Sequence, residues 1–163
     1  MDISVVIPLY NEEESLPELQ AWIQRVMKAN GFSYEIIFIN DGSKDNTIGE
    51  LKKLVDAKCA DITVVDFSRN FGKEAAIFAG LQEAKGDCAV VLDCDLQFPP
   101  EKIIEMYSLW QEGYEIIEGV KSDRGNESIF YKLFAKSFYK MMSCFIGVDM
   151  QSTSDFKLID RKV

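Results

Sequence analysis

The chain has 163 residues, 47% of them hydrophobic, with a formal net charge of −9 and no histidine. Such a length and apolar fraction suit one folded domain with a sizeable core and exclude a disordered segment. The acidity argues against a nucleic-acid partner, and the missing imidazole excludes a Ser-His-Asp triad, a Cys-His pair or any histidine metal site built from this chain.

A first strand is expected over 3–8, followed by a helix over 13–29 that carries Leu16, Leu19, Ile23, Val26 and Met27 at helical spacing. Strand 34–40 and helix 47–58 come next, then strand 62–67 and helix 73–84, then strand 88–93. A helix over 100–112 follows Pro99-Pro100 and lines up Ile103, Ile104, Tyr107 and Trp110; proline suits a first helical turn. Strand 115–120 and helix 127–145 complete the pattern. This alternation predicts an α/β fold, Rossmann-like, with a mostly parallel sheet and helices on both faces. No repeat or linker divides the chain, so residues 1–163 read as one domain. No apolar run is long enough to span a bilayer, and Met1-Asp2-Ile3-Ser4 lacks a basic leader, so a cytoplasmic chain is expected. The cysteines at 59, 88, 94 and 144 have no Cys-x-x-Cys spacing and read as reduced thiols. Ile159-Asp160-Arg161-Lys162-Val163 carries no capping or turn signal, so the chain reads as cut there.

Chemistry is expected at the carboxyl ends of the strands, where open α/β sheets bind ligands. After the first strand comes Tyr10-Asn11-Glu12-Glu13-Glu14. Glu13 and Glu14 suit a helix N-terminus. Tyr10 could stack on a base and Glu12 could hold a base N–H or a ribose hydroxyl, but helix decoration explains this turn almost as well. After the second strand, Ser43 and Asp45 read as turn and cap residues. Asp41 stands at the strand edge, expected beside the end of the strand leading to Asp93, and Gly42 would let a ligand approach the backbone. After the third strand, Arg69 and Lys73 are candidate phosphate or carboxylate partners, although no complete phosphate-loop or dinucleotide motif is present. After the fourth, the apolar run Val90-Val91-Leu92 ends in Asp93-Cys94-Asp95-Leu96-Gln97. Two carboxylates one residue apart repel each other unless a cation neutralises them, and their oxygens, with that of Gln97, suit Mg²⁺ or Mn²⁺. The bland alternative is a solvated acidic loop.

Charge is unevenly spread: residues 1–120 carry 22 acids and 10 bases, residues 121–163 five acids and eight bases. In 127–145 the apolar Phe130, Leu133, Phe134, Phe138, Met141, Met142 and Phe145 accompany Lys132, Lys136 and Lys140. This reads as a helix packed on the sheet, or as one lying on a membrane surface.

Taken in register, Val6-Ile7-Pro8-Leu9-Tyr10-Asn11-Glu12, Asn40-Asp41-Gly42-Ser43, Ser68-Arg69-Asn70-Phe71-Gly72-Lys73-Glu74, Asp93-Cys94-Asp95-Leu96-Gln97 with Pro99-Pro100-Glu101, and Asp155-Phe156-Lys157-Leu158 resemble the family 2 glycosyltransferases of GT-A fold. The likeness is strongest to the polyprenyl-phosphate branch, which includes dolichyl-phosphate mannosyltransferases and bactoprenol glucosyltransferases. It implies a nucleotide site at Pro8, Tyr10, Glu12 and Asp41, and Mg²⁺ or Mn²⁺ on Asp93, Asp95 and Gln97. It further implies acceptor-phosphate contacts at Arg124 and Lys157 and a catalytic base at Asp155. Three positions depart from the pattern. Asn40 stands where Asp is commoner, Phe98 where Asp is frequent, and Lys157 where Arg is usual. The implied activity is inverting, metal-dependent transfer of a hexose from a UDP- or GDP-linked sugar to a polyprenyl phosphate at the cytoplasmic membrane face. Transfer to a soluble or polysaccharide sugar acceptor is the alternative, and nucleotide binding without catalysis is a second. A homo-oligomer stays open.

Overall fold

The computed structural model describes residues 1–58, 60–95, 99–119 and 156–163. Gln97, Phe98, Arg124, Asp155 and the helix expected over 127–145 lie outside the described residues. Strands β1 (Ile3–Leu9), β2 (Tyr34–Asn40), β3 (Asp61–Asp66), β4 (Cys88–Val91), β5 (Ile116–Glu118) and β6 (Lys157–Asp160) form one sheet in the order β3-β2-β1-β4-β6-β5. The first four run parallel, and β6 pairs antiparallel with both β4 and β5.

Both faces of the central strands are covered, which is why they read as unbroken apolar runs. Val5, Ile7, Leu9, Ile36, Phe38 and Val90 face helices α1 (Leu16–Asn30), α2 (Thr47–Asp56) and α4 (Lys102–Gln111). Val6, Ile37, Ile39 and Val91 face α3 (Lys73–Glu83). Each fully buried side chain of this kind contributes roughly 1.5–3 kcal/mol. Helix α3 lies close to its strands because Gly80 has no side chain: a Cβ there would sit 2.4 Å from Val6 Cγ1 and 2.6 Å from Ile39 Cδ1.

The expected strands and four of the expected helices are present, with shifted ends. Helix α1 begins at Leu16 rather than residue 13 because residues 11–13 bond to the turn after β2 instead. Strand β6 was not expected; it inserts between β4 and β5 and separates them. The cysteine expectation is met where the structure speaks to it, since Cys88 and Cys94 are buried free thiols. Among the described residues no helix is long and apolar enough to cross a membrane.

From β1 the chain moves outward to β2 and β3, then returns to place β4 on the other side of β1. The crevice at such a reversal, beyond the carboxyl ends of the strands, is where sheets of this class bind ligands. The opposite end of the sheet is closed by a buried polar cluster. Ser4 Oγ donates to Glu35 Oε1 (2.7 Å) and accepts the N–H groups of Lys85 (3.1 Å) and Gly86 (2.8 Å). Glu35 is fully buried, and Lys85 Nζ lies 3.9 Å from its Oε2. Ser4→Ala removes a donor and an acceptor from this cluster together. It is expected to lower the unfolding free energy by about 2 kcal/mol; urea denaturation checks this, and a loss under about 0.5 kcal/mol would contradict the assignment.

Candidate active site

Two turns are stitched together at the carboxyl end of the sheet. The N–H of Asn11 donates to Ser43 Oγ (2.9 Å), that of Glu12 to Thr47 Oγ1 (2.9 Å) and that of Glu13 to Asp45 Oδ2 (3.2 Å). In return, the N–H of Lys44 donates to Asn11 Oδ1 (2.8 Å) and that of Asn46 to Glu13 Oε2 (2.8 Å). Glu13 therefore serves as a crosslink between turns, and not as the helix-dipole residue expected. Asp45 Oδ1 accepts the Thr47 hydroxyl (2.6 Å) and N–H (3.0 Å), as expected of a turn residue, while the N-cap position of α2 is taken by Asn46. Burial pushes the Asp45 carboxyl up, but the bonds from Thr47 and Glu13 outweigh it and hold its pKa below the ordinary value.

Asp41 ends β2 with only 4% of its surface exposed. Its Oδ1 accepts the N–H of Phe71 (2.6 Å) and its Oδ2 that of Gly72 (3.0 Å). Gly42, at φ 64°, packs so tightly that a Cβ would lie 2.4 Å from the carbonyl carbon of Arg69. The close approach expected there belongs to the backbone of residues 69–70, and not to a ligand. Held this way, the turn after β3 delivers Lys73 at the start of α3, with its Nζ 2.7 Å from Asp93 Oδ1. Lys73 thus pairs with one of the two carboxylates of this turn. Arg69 is exposed, stacks 4.8 Å from the centre of the Phe71 ring, and does not line the cleft. Neighbouring Asn40 is buried and donates from Nδ2 to Asp66 Oδ1 (2.7 Å), its cross-strand partner on β3. That contact accounts for the departure from the commoner aspartate, because a carboxylate at 40 would face Asp66 with no proton between them.

These turns enclose an open cleft of about 360 Å³. The end of β1 contributes Pro8, Tyr10 and Glu12, the end of β4 Asp93 and Asp95, the end of β2 Asp41 and the start of α3 Lys73. Seven of the expected site residues therefore meet in one place. Asp41 and Asp93 share the cleft although β1 separates their strands, where adjacency was expected. Lys157 is on β6, paired with Glu118 (3.1 Å) and in register with Val91 at the end of β4; it does not line the cleft. Asn70 and Cys94 line it without having been singled out as site residues. Burial pushes the Cys94 thiol up to about 12, and the charges of Glu12, Asp95 and Asp93 add to it.

The donor set fits a hard divalent cation. Asp93 is partly exposed and Asp95 exposed, both on the cleft. Among the described residues no group of three or more acidic, cysteine or histidine side chains could hold a metal by itself. Two carboxylates with the remaining positions left to water and phosphate oxygens is the usual arrangement for Mg²⁺ beside a nucleotide.

Residues 4–161 match the family model described as glycosyl transferase family 2. The chain belongs to that family. It is 44% identical over 163 residues to the uncharacterized glycosyltransferase YkcC of Bacillus subtilis, covering 98% of this chain and 50% of that protein. It is 37% identical over 166 residues to the bactoprenol glucosyl transferase of Shigella phage SfV, covering 100% of this chain and 53% of that protein. The chain thus spans about half the length of the curated relatives it matches. Among solved structures, the mannosyltransferase PcManGT of Pyrobaculum calidifontis, in complex with GDP-Man and Mn²⁺, superposes with a TM-score of 0.64 at 22% identity, over 80% of this chain and 37% of that one. The fold of this family 2 domain is the GT-A type expected.

Two outcomes test the site's framework. Asn40→Asp, which installs the commoner family residue, is expected to destabilise the domain by about 1–2 kcal/mol at neutral pH. The swap Asn40→Asp with Asp66→Asn restores most of the loss, and chemical denaturation of all three proteins reads it. For Asp45 the folded pKa lies below the unfolded value near 3.8, so its stabilisation is present above that value and lost as pH falls through the folded one. Asp45→Asn is therefore expected to cost about 1 kcal/mol at pH 7 and clearly less near pH 3; equal losses at both would show that charge on Asp45 is irrelevant.

Proposed function

We propose that this chain forms the sugar-donor part of an enzyme that transfers a hexose, with inversion, from a UDP- or GDP-linked sugar to a polyprenyl phosphate at the cytoplasmic face of the membrane. One observation carries the reading. Asp93 and Asp95, with Lys73 against Asp93, line a cleft at the strand-order reversal together with Pro8, Tyr10 and Glu12. The 37% identity to bactoprenol glucosyl transferase along the whole chain supports the lipid phosphate as acceptor.

In this reading the half-exposed Tyr10 ring offers a stacking face to the base. Pro8, Glu12 and Asp41 shape the nucleoside pocket, with Asp41 acting through the N–H groups it holds. Asp93 and Asp95 hold Mg²⁺ or Mn²⁺, with Gln97 as a third oxygen. When bound, that ion neutralises charge on the diphosphate leaving group. Lys73 adds a positive charge on the same side, and Arg124 and Lys157 orient the acceptor phosphate. A phosphate monoester has a second pKa near about 6 and arrives largely ionised. Asp155 is then required to orient the acceptor more than to remove a proton.

Calorimetric titration with UDP and GDP, with and without Mn²⁺, tests the donor half. One nucleotide is expected to bind at least about tenfold more tightly with the metal, and Asp93→Ala to erase that difference. Loss of metal dependence for both nucleotides in the wild type would sink the donor reading. The full-length protein offered a short polyprenyl phosphate and a sugar acceptor tests the other half; transfer to the sugar hydroxyl alone would overturn the lipid assignment.

A further inference from the structure

Ser15 sits where a hydroxyl ordinarily caps a helix, yet it makes no capping bond to the first turn of α1. Its hydroxyl donates to Glu12 Oε2 and lies 3.6 Å from Cys94 Sγ. Distance alone leaves the polarity of the second contact open, but the partners decide it. A serine hydroxyl has one proton, and Ser15 gives it to Glu12. The Cys94 thiol must then be the donor to Ser15 Oγ. The result is a directed run from Cys94 S–H through Ser15 O–H to Glu12.

The two ends of this run belong to two different loops of the cleft lining, Glu12 after β1 and Cys94 after β4. Cys94 is the central residue of the Asp-x-Asp turn; it is 3% exposed and its side chain belongs to the main hydrophobic core. It anchors from beneath the turn that presents Asp93 and Asp95. Glu12 is itself tied to the β2–α2 turn through Thr47. Ser15 does not line the cleft. We propose that Ser15 is a positioning residue that, through Cys94 and Glu12, sets the Asp93–Asp95 turn at a fixed distance from the nucleoside side of the cleft. The proposal rests on the donor reading above and deepens it. A nucleotide diphosphate is one ligand with two ends, and it gains from both only if the protein holds the two subsites at matching separation.

The test uses Ser15→Ala, Ser15→Thr, Cys94→Ala and Cys94→Ser in the whole chain, with two readouts. The first is the S–H stretching band of Cys94, isolated as the infrared difference between wild type and Cys94→Ala. A hydrogen-bonded thiol absorbs at lower frequency, so Ser15→Ala should move the band up and Ser15→Thr should leave it. The second is Mn²⁺-dependent binding of UDP or GDP. Ser15→Ala and Cys94→Ala should each weaken it about tenfold, while Ser15→Thr and Cys94→Ser, which keep the donors, stay within about threefold of wild type. A band unmoved by Ser15→Ala overturns the relay. A Ser15→Ala protein that binds the metal–nucleotide pair like wild type overturns the positioning role while the donor reading stands. A wild type that binds neither nucleotide overturns the donor reading, and with it the role given to Ser15, whatever the band does.

Discussion

The position of Lys73 beside Asp93 depends on one buried carboxylate. Asp41 has almost no access to water, and a charge in that situation is tolerable only when hydrogen-bonded. Its partners are two successive backbone N–H groups, at Phe71 and Gly72. Charge-assisted bonds of this kind are stronger than neutral ones. They pull the turn after β3 over the end of β2, and Gly42 leaves the room for it to close. The next residue is Lys73, so the direction in which α3 departs, and the place its first side chain reaches, follow from that clamp. Asp41 lines the cleft and also holds the turn that forms its wall.

The same division between framework and opening runs through the whole end of the sheet. Residues 11–13 and 43–47 satisfy each other's backbone and side-chain groups, so these two polar turns act as a unit. Asn40 closes the neighbouring strand edge with a neutral donor. What remains on the cleft lining is a small set: an aromatic face, Glu12, the Asp93–Asp95 pair and one lysine. Preorganisation of this kind lowers the ordering cost that a flexible diphosphate would otherwise meet on binding.

Much of this was legible in the chain, for identifiable reasons. Strands β1, β2 and β4 are covered on both faces, so their apolar runs stand out, and the motifs that follow them fall at strand ends by construction. Helix α1 shows its buried stripe plainly. Strand β6 is four residues long, alternates only weakly in Lys157-Leu158-Ile159-Asp160, and pairs with segments distant in sequence, so no local pattern marks it. The role of Glu13 was misread for a physical reason. A polar residue at a strand end looks the same in sequence whether its partner is a ligand or another turn. Which of the two it meets is a property of the assembled sheet. Cys94 was legible as a buried thiol, but its contact with Ser15 depends on α1 passing under the end of β4.

The chemistry that this arrangement can support follows from what the chain does and does not supply. With no histidine in the sequence, the commonest general base is missing from this chain, and a carboxylate is the next candidate. Three carboxylates on the cleft lining have partners within the chain: Asp41 the backbone N–H groups, Asp93 Lys73 and Glu12 Ser15. An acceptor that arrives ionised makes no demand on them. It needs cationic partners near the carboxyl end of β4, and β6 brings Lys157 into register beside Val91 there. A neutral sugar hydroxyl would instead need a free base at that edge. An ionised acceptor, as proposed above, would draw on Lys157, which in this structure is paired with Glu118.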